Sequence, residues 1–361
     1  MANANSRFHY DVLIVGGGPA GATCARFSAR HGLNVAVIER FAPYSAKRTS
    51  AGIFDHTWKM LELSPSSYPH PMKSPNAATF KTLNNGKELT GMLSAVVSKL
   101  NRYVYFPNRD EFDGWLLSLA MLEGASVVHN TAIRPHDIDF KDGRYHVQVG
   151  NQVHTSEYLV GAAGTCCPVY RRYFGNSGSW PDTTMFLTEV EVLESEYSGP
   201  PYVSYFNFMN SGVFGWTYIE GDGWLHLGTA ILSKQQKIKK ADMLLDEFVL
   251  SLKSKGQLPE NFKVENHPTL GGSIRMFAKH PMSSDDGSCF VIGDSAGLLQ
   301  LDAYNGITNA ILSGRLCADA ISRGDRTGNI RNKLHRYLFT DVLHDMIGNA
   351  VPMLKRIKPL S

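Results

Sequence analysis

Apolar and polar positions along this chain switch between a helical and a strand-like rhythm, and the switches mark out the elements. Residues 11–15 are a short β-branched run, residues 19–31 carry Ala and other small apolar groups at helical spacing, and residues 34–38 are a second apolar run. Together they predict one βαβ unit. Residues 112–122 then read as a helix and 126–129 as a strand, while 145–149 with 152–155 read as a hairpin leading into an apolar strand at 158–161. From residue 183 the character changes to alternating segments at 185–192, 202–209, 213–220 and 224–232. The links Asn210-Ser211-Gly212 and Gly221-Asp222-Gly223 have hairpin chemistry, which predicts an antiparallel sheet. Its aromatics fall on both faces, so one face is expected to line a ligand pocket and the other to pack on helices. Residues 241–255 place Leu244, Leu245, Phe248, Val249 and Leu252 on one helical face. A buried strand at 289–292 and a helix at 305–321 return the chain to its first layer.

Composition narrows the class. At 361 residues, with 43% hydrophobic and 19% charged positions, the chain is an ordinary globular protein large enough for two domains. A formal charge of +3, with Lys and Arg dispersed, leaves no footprint for nucleic acid. No apolar run approaches a membrane span, and the first ten residues lack the apolar core of a signal peptide. Five cysteines without CxxC spacing point to a reducing cytoplasm. The adjacent Cys166 and Cys167 read as two small buried residues in a tight turn. The histidines show no metal-ligand spacing, so no metal is assigned. Residues 351–361 read as a solvated tail, with two prolines that spoil an interfacial helix.

The chemistry lies in the turns that follow strands. Gly16, Gly18 and Gly21 form GxGxxG directly after a strand and at the opening of a helix. The first glycine permits the tight turn, the second admits a pyrophosphate to the backbone, and the third lets helix and strand pack. Pro19 and Ala20 begin the helix whose amides and dipole favour the phosphates. Glu39 ends the second strand, where a carboxylate accepts hydrogen bonds from an adenosine ribose. Arg40 beside it would suit a 2'-phosphate, which Glu39 would repel. A second signature, residues 291–297 (VIGDSAG), ends a strand at Gly293 and places Asp294 where a carboxylate can bind a ribityl hydroxyl. Gly306 and Ile307 open the next helix and would aim amides at a flavin ring, where negative charge develops on reduction. NAD has no ribityl chain, so the pair of motifs selects FAD.

The order GxGxxG, then Arg109, Phe112, Asp113 and Leu116 as RxxFDxxL, then GDSAG and a Gly-Ile helix resembles the geranylgeranyl reductase-like branch of the para-hydroxybenzoate hydroxylase-fold flavoproteins. The resemblance runs from Phe8 to about Ile321. It implies an α/β fold: a Rossmann-type FAD-binding domain with a mixed sheet, an inserted antiparallel substrate domain and C-terminal helices. The corresponding boundaries are 1–58, 102–172 and 283–325 for the FAD domain, 59–101 and 173–282 for the substrate domain, and 326–361 for a C-terminal helical segment. It also implies that Arg109 contacts the ribityl or phosphate region, and it counts Ala51, Gly52, Ile133 and Gly164 with the cofactor residues.

Departures from the family pattern bear on function. Where relatives carry GADG, this chain has Gly161-Ala162-Ala163-Gly164, so the acid thought to engage NADPH is gone. Where geranylgeranyl reductases have Cys-Gly-Gly beside the flavin, it has Ser50-Ala51-Gly52. Their aromatic WxFP element is here Trp216-Thr217-Tyr218-Ile219, and the GEG at the flavin helix is Tyr304-Asn305-Gly306. The expected activity is therefore a flavin monooxygenase acting on an aromatic substrate, a small molecule or a tryptophan of a partner protein during quinone-cofactor maturation. Ser50, Trp216, Tyr218 and Asn305 are its candidate catalytic residues. The alternative is saturation of isoprenoid double bonds, against which the missing cysteine counts. No feature of the sequence sets the oligomeric state.

Overall fold

The computed structural model describes residues 8–45, 49, 51–74, 79–84, 87–89, 104–175, 184–200, 202–208, 213–232, 241–275, 282–298, 306–325, 329–330 and 332–334. Its core strand, His9–Val15, has Val12, Leu13 and Ile14 fully buried, the pattern of a strand covered on both faces. It pairs in parallel with Val35–Ile38 on one side and Gln152–Gly161 on the other, and Ser126–Val128 and Cys289–Val291 extend the parallel part. Ile138–Lys141 and Arg144–Val149 add an antiparallel edge. The result is a mixed seven-stranded sheet, as the resemblance implied.

Helix Pro19–Arg30 crosses this sheet with residues 19–28 all buried. Small residues make that possible: a Cβ on Gly314 would collide with the Ala20 carbonyl, so helix Gly306–Ser322 packs backbone to backbone against it. Helix Arg109–Leu122 covers the same layer. Asn108 caps it by accepting from the Glu111 amide, and Asp110 and Glu111 suit the positive end of its dipole.

The second sheet also has seven strands, in the order Thr269–Arg275, Thr184–Leu193, Trp224–Leu232, Val213–Ile219, Val203–Phe208, Thr79–Asn84, Lys87–Leu89. One face carries Val190, Val192, Val203, Tyr205, Leu225 and Leu227 and packs on helix Ala241–Ser254 through Leu244, Leu245, Phe248, Val249 and Leu252. The opposite face turns toward the first layer. A small three-stranded ribbon of Ile53–Phe54, Val104–Pro107 and Met72–Lys73 bridges the two.

Several expectations are corrected. Residues 152–155 and 158–161 form one strand, because Ser156 and Glu157 offer no turn; its first half closes a hairpin and its second half joins the parallel core. The helix expected from 112 begins at Arg109, one residue after its Asn108 cap. The second sheet is not wholly antiparallel, since Val203–Phe208 pairs in parallel with Thr79–Asn84. Of the adjacent cysteines only Cys167 is buried and Cys166 is exposed; all five are free thiols. Most of the C-terminal segment expected to be helical, residues 326–361, lies outside the described residues. Among the described residues no helix is long and apolar enough to cross a membrane, and no cluster of His, Cys, Asp and Glu could hold a metal.

Candidate active site

A cavity of about 470 Å³ runs from the turn after the first strand to the inner face of the second sheet. At its near end the chain turns at Gly16, whose φ of +107° disfavours any other residue. A Cβ there would lie 2.6 Å from the Ala162 carbonyl, and one on Gly21 would run into the Gly16 carbonyl, so both glycines serve close backbone packing. Gly18 differs: nothing lies within 4 Å of where its Cβ would stand. Its backbone borders the cavity, and helix Pro19–Arg30 points its positive end into the same space.

Glu39 follows strand Val35–Ile38 and is held by its neighbours. The Gly17 amide donates to one carboxylate oxygen at 2.5 Å and the Phe41 amide to the other at 2.9 Å. A carboxylate so held keeps acceptor capacity for a ribose diol. Arg40 turns its guanidinium over the Phe41 ring, 4.4 Å from the centroid, and Ile133 lines the wall nearby. An open cradle at a helix N-terminus, with a fixed carboxylate at the end of the next strand, fits a dinucleotide diphosphate and its ribose.

Farther along, Arg109 donates through Nε to Asp113 at 2.8 Å and reaches the Thr49 hydroxyl at 3.3 Å. Burial works against its charge, and Asp113, Asp294 and Glu220 more than compensate, raising its pKa. Asp294 lines the cavity from the 3-10 turn Gly293–Ala296. That turn is docked firmly: Gly293 has φ +60°, its amide donates to Ser313 Oγ at 3.0 Å, and a Cβ on it would press on Ala20. Gly164 lines the opposite wall, and its carbonyl accepts from Ser295 Oγ at 3.0 Å. Gly306 and Ile307, the first turn of a 17-residue helix, line the cavity, so that helix turns its positive end toward it. Gly52 lines it as well.

Ala51 stands apart from its neighbour. It is fully buried, and its amide donates to Glu220 Oε1 at 3.0 Å. Ser50 and Asn305, two of the candidate catalytic residues, lie outside the described residues.

The far wall is the inner face of the second sheet. Trp216 and Tyr218 lie two residues apart on strand Val213–Ile219 and line the cavity together, with Phe106 packed on Tyr218 at a centroid distance of 5.1 Å. Met185, Leu187, Ala230 and Ile274 make the same face apolar. Beside these hydrophobics sits a buried polar chain. His226 Nδ1 is 3.0 Å from Glu189 Oε2, and its Nε2 is 3.4 Å from Glu220 Oε2 and 4.0 Å from Glu191 Oε1. Burial alone would lower the imidazole pKa, but the hydrogen bonds to Glu189 and Glu220 dominate and push it up to about 11. Burial raises the Glu220 carboxyl, and His226 only partly offsets it.

This chain of Glu189, His226 and Glu220 escaped the sequence reading. Its one signal is that Glu189 and Glu191 share the strand face of Met185 and Leu187, carboxylates where an amphipathic strand should stay apolar. Arg275 escaped as well. It donates to the carbonyls of Ser295 and Thr165 and lies 3.7 Å over Tyr170, tying the second sheet to the turns Gly164–Cys166 and Gly293–Ala296.

Residues 9–213 match the FAD binding domain family. The chain is 21% identical over 343 residues to digeranylgeranylglycerophospholipid reductase 1 of Methanosphaera stadtmanae, covering 91% of this chain and 79% of that one. Among solved structures, a geranylgeranyl bacteriochlorophyll reductase-like protein from Thermoplasma acidophilum superposes with a TM-score of 0.69 at 19% identity, covering 94% of this chain and 87% of that chain. The flavin-dependent halogenase CmlS superposes with a TM-score of 0.66 at 20% identity, covering 91% of this chain and 61% of that one.

Proposed function

The chain belongs to the FAD binding domain family and is an FAD-dependent oxidoreductase, and on that premise we propose that it is a flavin monooxygenase hydroxylating an aromatic substrate, either a small molecule or a tryptophan side chain of a partner protein. The observation that carries this reading is the far wall of the cavity, where Trp216 and Tyr218 stand on one strand face beside an apolar surface. Offset or edge contacts with two such rings would hold a flat aromatic substrate in a defined pose.

Bound FAD supplies the two-electron carrier and the activation of dioxygen. The protein's part is to bind, orient and keep dry. The backbone at Gly18 and the start of helix Pro19–Arg30 would take the diphosphate, Glu39 the ribose, and Asp294 with Arg109 the ribityl region. The amides of Gly306 and Ile307 would favour the negative charge of the reduced ring. Met185, Leu187, Ala230 and Ile274 exclude water from the reacting face.

Isotopically labelled dioxygen tests the reaction type. Protein reduced under anaerobic conditions and then given labelled oxygen with aromatic candidates should put label into product. Trp216→Ala should keep its FAD while product per electron falls about tenfold, the effect of losing roughly 1.4 kcal/mol of ring contact, and free hydrogen peroxide rises in step. Coupling unchanged in that variant would remove Trp216 from the site. A second reading, reduction of an isoprenoid double bond, is favoured by the name of the Methanosphaera relative. Saturation of a prenyl alkene by chemically reduced enzyme without oxygen, and no label in any product, would establish it over hydroxylation.

The electron donor is a separate question. Ala163 lines the cavity where the resemblance leads to an acid, and Glu39 opposes a phosphorylated ribose at the first site. NADPH should therefore reduce the bound flavin slowly or not at all in stopped-flow absorbance. Fast, saturable bleaching at micromolar NADPH would show that another surface replaces the lost carboxylate.

A further inference from the structure

Two glycines interrupt the aromatic strands of the second sheet, and each lies under a ring. A Cβ on Gly215 would stand 3.0 to 3.2 Å from ring atoms of Phe248, on the face that packs against helix Ala241–Ser254. Gly228 is covered in the same way on the cavity side, and more tightly. A Cβ there would lie 2.2 Å from Trp216 Cε2, 2.2 Å from Cζ2 and 2.5 Å from Nε1. A point at those distances from three bonded ring atoms stands over the face of the indole and not beyond its edge. Glycine inside a strand marks such a close approach, with the ring taking the place of the missing side chain.

The strand register fixes this seat. Trp216 pairs with Gly228 on the neighbouring strand, so the indole has only to lean sideways to cover it. The indole nitrogen is shut off from solvent, which turns the N–H edge into the wall. Trp216 packs beside Met185, Leu187 and Ala230 and still lines the cavity. Phe248, seated on Gly215, is 1% exposed, whereas Trp216 is only half-buried. One face of the indole thus rests on backbone, and the ring meets the cavity with the other.

We propose that Gly228 is a specificity-determining, positioning residue of the substrate pocket: by seating the Trp216 indole flat on the sheet it leaves one ring face open to the cavity, and the site takes a planar aromatic ring stacked on that face in preference to saturated groups of the same size. Planar rings gain from offset contact between their faces, while a puckered ring brings only part of its atoms to the same surface. Any side chain at residue 228 would lift the indole off the sheet and into the space the substrate needs. The φ of Gly228 lies outside the left-handed region, and the atoms a methyl would meet belong to a side chain. The effect of Gly228→Ala therefore falls on the pocket and not on the strand. The inference rests on reading the cavity as an aromatic-substrate site and adds how the ring is held.

Calorimetric titration of oxidised, FAD-loaded protein tests it without turnover. β-Naphthol with decahydro-β-naphthol, and phenol with cyclohexanol, are pairs that share a hydroxyl and a carbon skeleton, and only the first member of each is planar. The planar member should bind about three- to tenfold more tightly, the range for a ring contact beyond its buried area. Gly228→Ala should bring the ratio close to one while FAD content is kept and the melting temperature changes little. Trp216→Ala should do the same without any change at the glycine, and Trp216→Phe, a smaller ring on the same seat, should leave an intermediate ratio. Adding Gly228→Ala to Trp216→Ala should change nothing further, because the glycine acts only through the indole; a general loosening of the pocket would add to the first effect. Equal affinities within both pairs, binding of neither member of either pair, a ratio undiminished in Gly228→Ala or in both Trp216 variants, a Gly228→Ala protein that loses its fold or its FAD, or a further loss in the double variant would overturn the proposal. Label incorporation is read separately on reduced protein, so a preference for planar rings without hydroxylation would sink the reaction assignment and leave Gly228 its role.

Discussion

Gly18→Val is expected to give a folded protein without colour. Nothing lies within 4 Å of the Cβ position at residue 18, and its φ of −66° is ordinary for any residue, so valine meets no protein atom. What it fills is the open space at the start of helix Pro19–Arg30, where the proposed cradle would let the backbone approach a diphosphate. Loss of two charge-assisted hydrogen bonds there, about 3 kcal/mol, would weaken FAD roughly a hundredfold or more. Gly16→Val should behave differently. Its φ of +107° and the 2.6 Å approach to the Ala162 carbonyl put the damage in the fold itself. A penalty of roughly 2–6 kcal/mol is expected from backbone strain and overlap together. Flavin absorbance read alongside the thermal transition separates the two outcomes. A Gly18→Val protein that retains stoichiometric FAD would refute the placement of the diphosphate.

The second large effect concerns His226. His226→Leu removes the hydrogen-bond partner shared by two buried carboxylates, which should cost about 3–5 kcal/mol and lower the melting temperature by on the order of 10 °C. The pH dependence has a definite sign. The folded-state pKa of His226 is raised from an ordinary 6.5 to about 11, so the folded chain holds a proton that the unfolded chain gives up. Its contribution is complete below about 6.5 and is lost as the pH rises through about 11. The Glu220 carboxyl, raised by burial, acts in the same direction. The stability gap between wild type and His226→Leu should therefore close in strong alkali, measured by denaturant unfolding across that range. Equal stability at neutral pH, or a gap that persists unchanged above pH 11, would show that the imidazolium does not hold the cluster together.

The local part of this protein was legible along the chain. Gly16, Gly18, Gly21 and Glu39 lie within one βαβ unit, where strand, turn and helix follow one another directly, so spacing alone places the turn, the backbone and the carboxylate relative to one another. The GDSAG turn and the Gly306–Ile307 helix start were readable for the same reason, since each is a short segment with its own backbone requirements. The alternating strands of residues 184–232 were legible too, as were their two unlike faces, because side-chain direction alternates with period two.

Only the tertiary structure decided how strands distant in sequence stand beside one another. Glu189 and His226 lie on neighbouring strands of the second sheet and Glu220 just past the end of the next one, so no spacing along the chain announces that the three meet. Their meeting follows from register, which brings Gly228 between Glu189 and Trp216 and sets Tyr218 opposite His226. The same holds for Ala51, whose amide reaches Glu220 across 169 residues, and for Arg275, which joins loops 110 and 20 residues away. Motifs built from adjacent residues carry their geometry in their spacing; a buried charge cluster does not, because its energy depends on partners that only the folded sheet brings within hydrogen-bond distance.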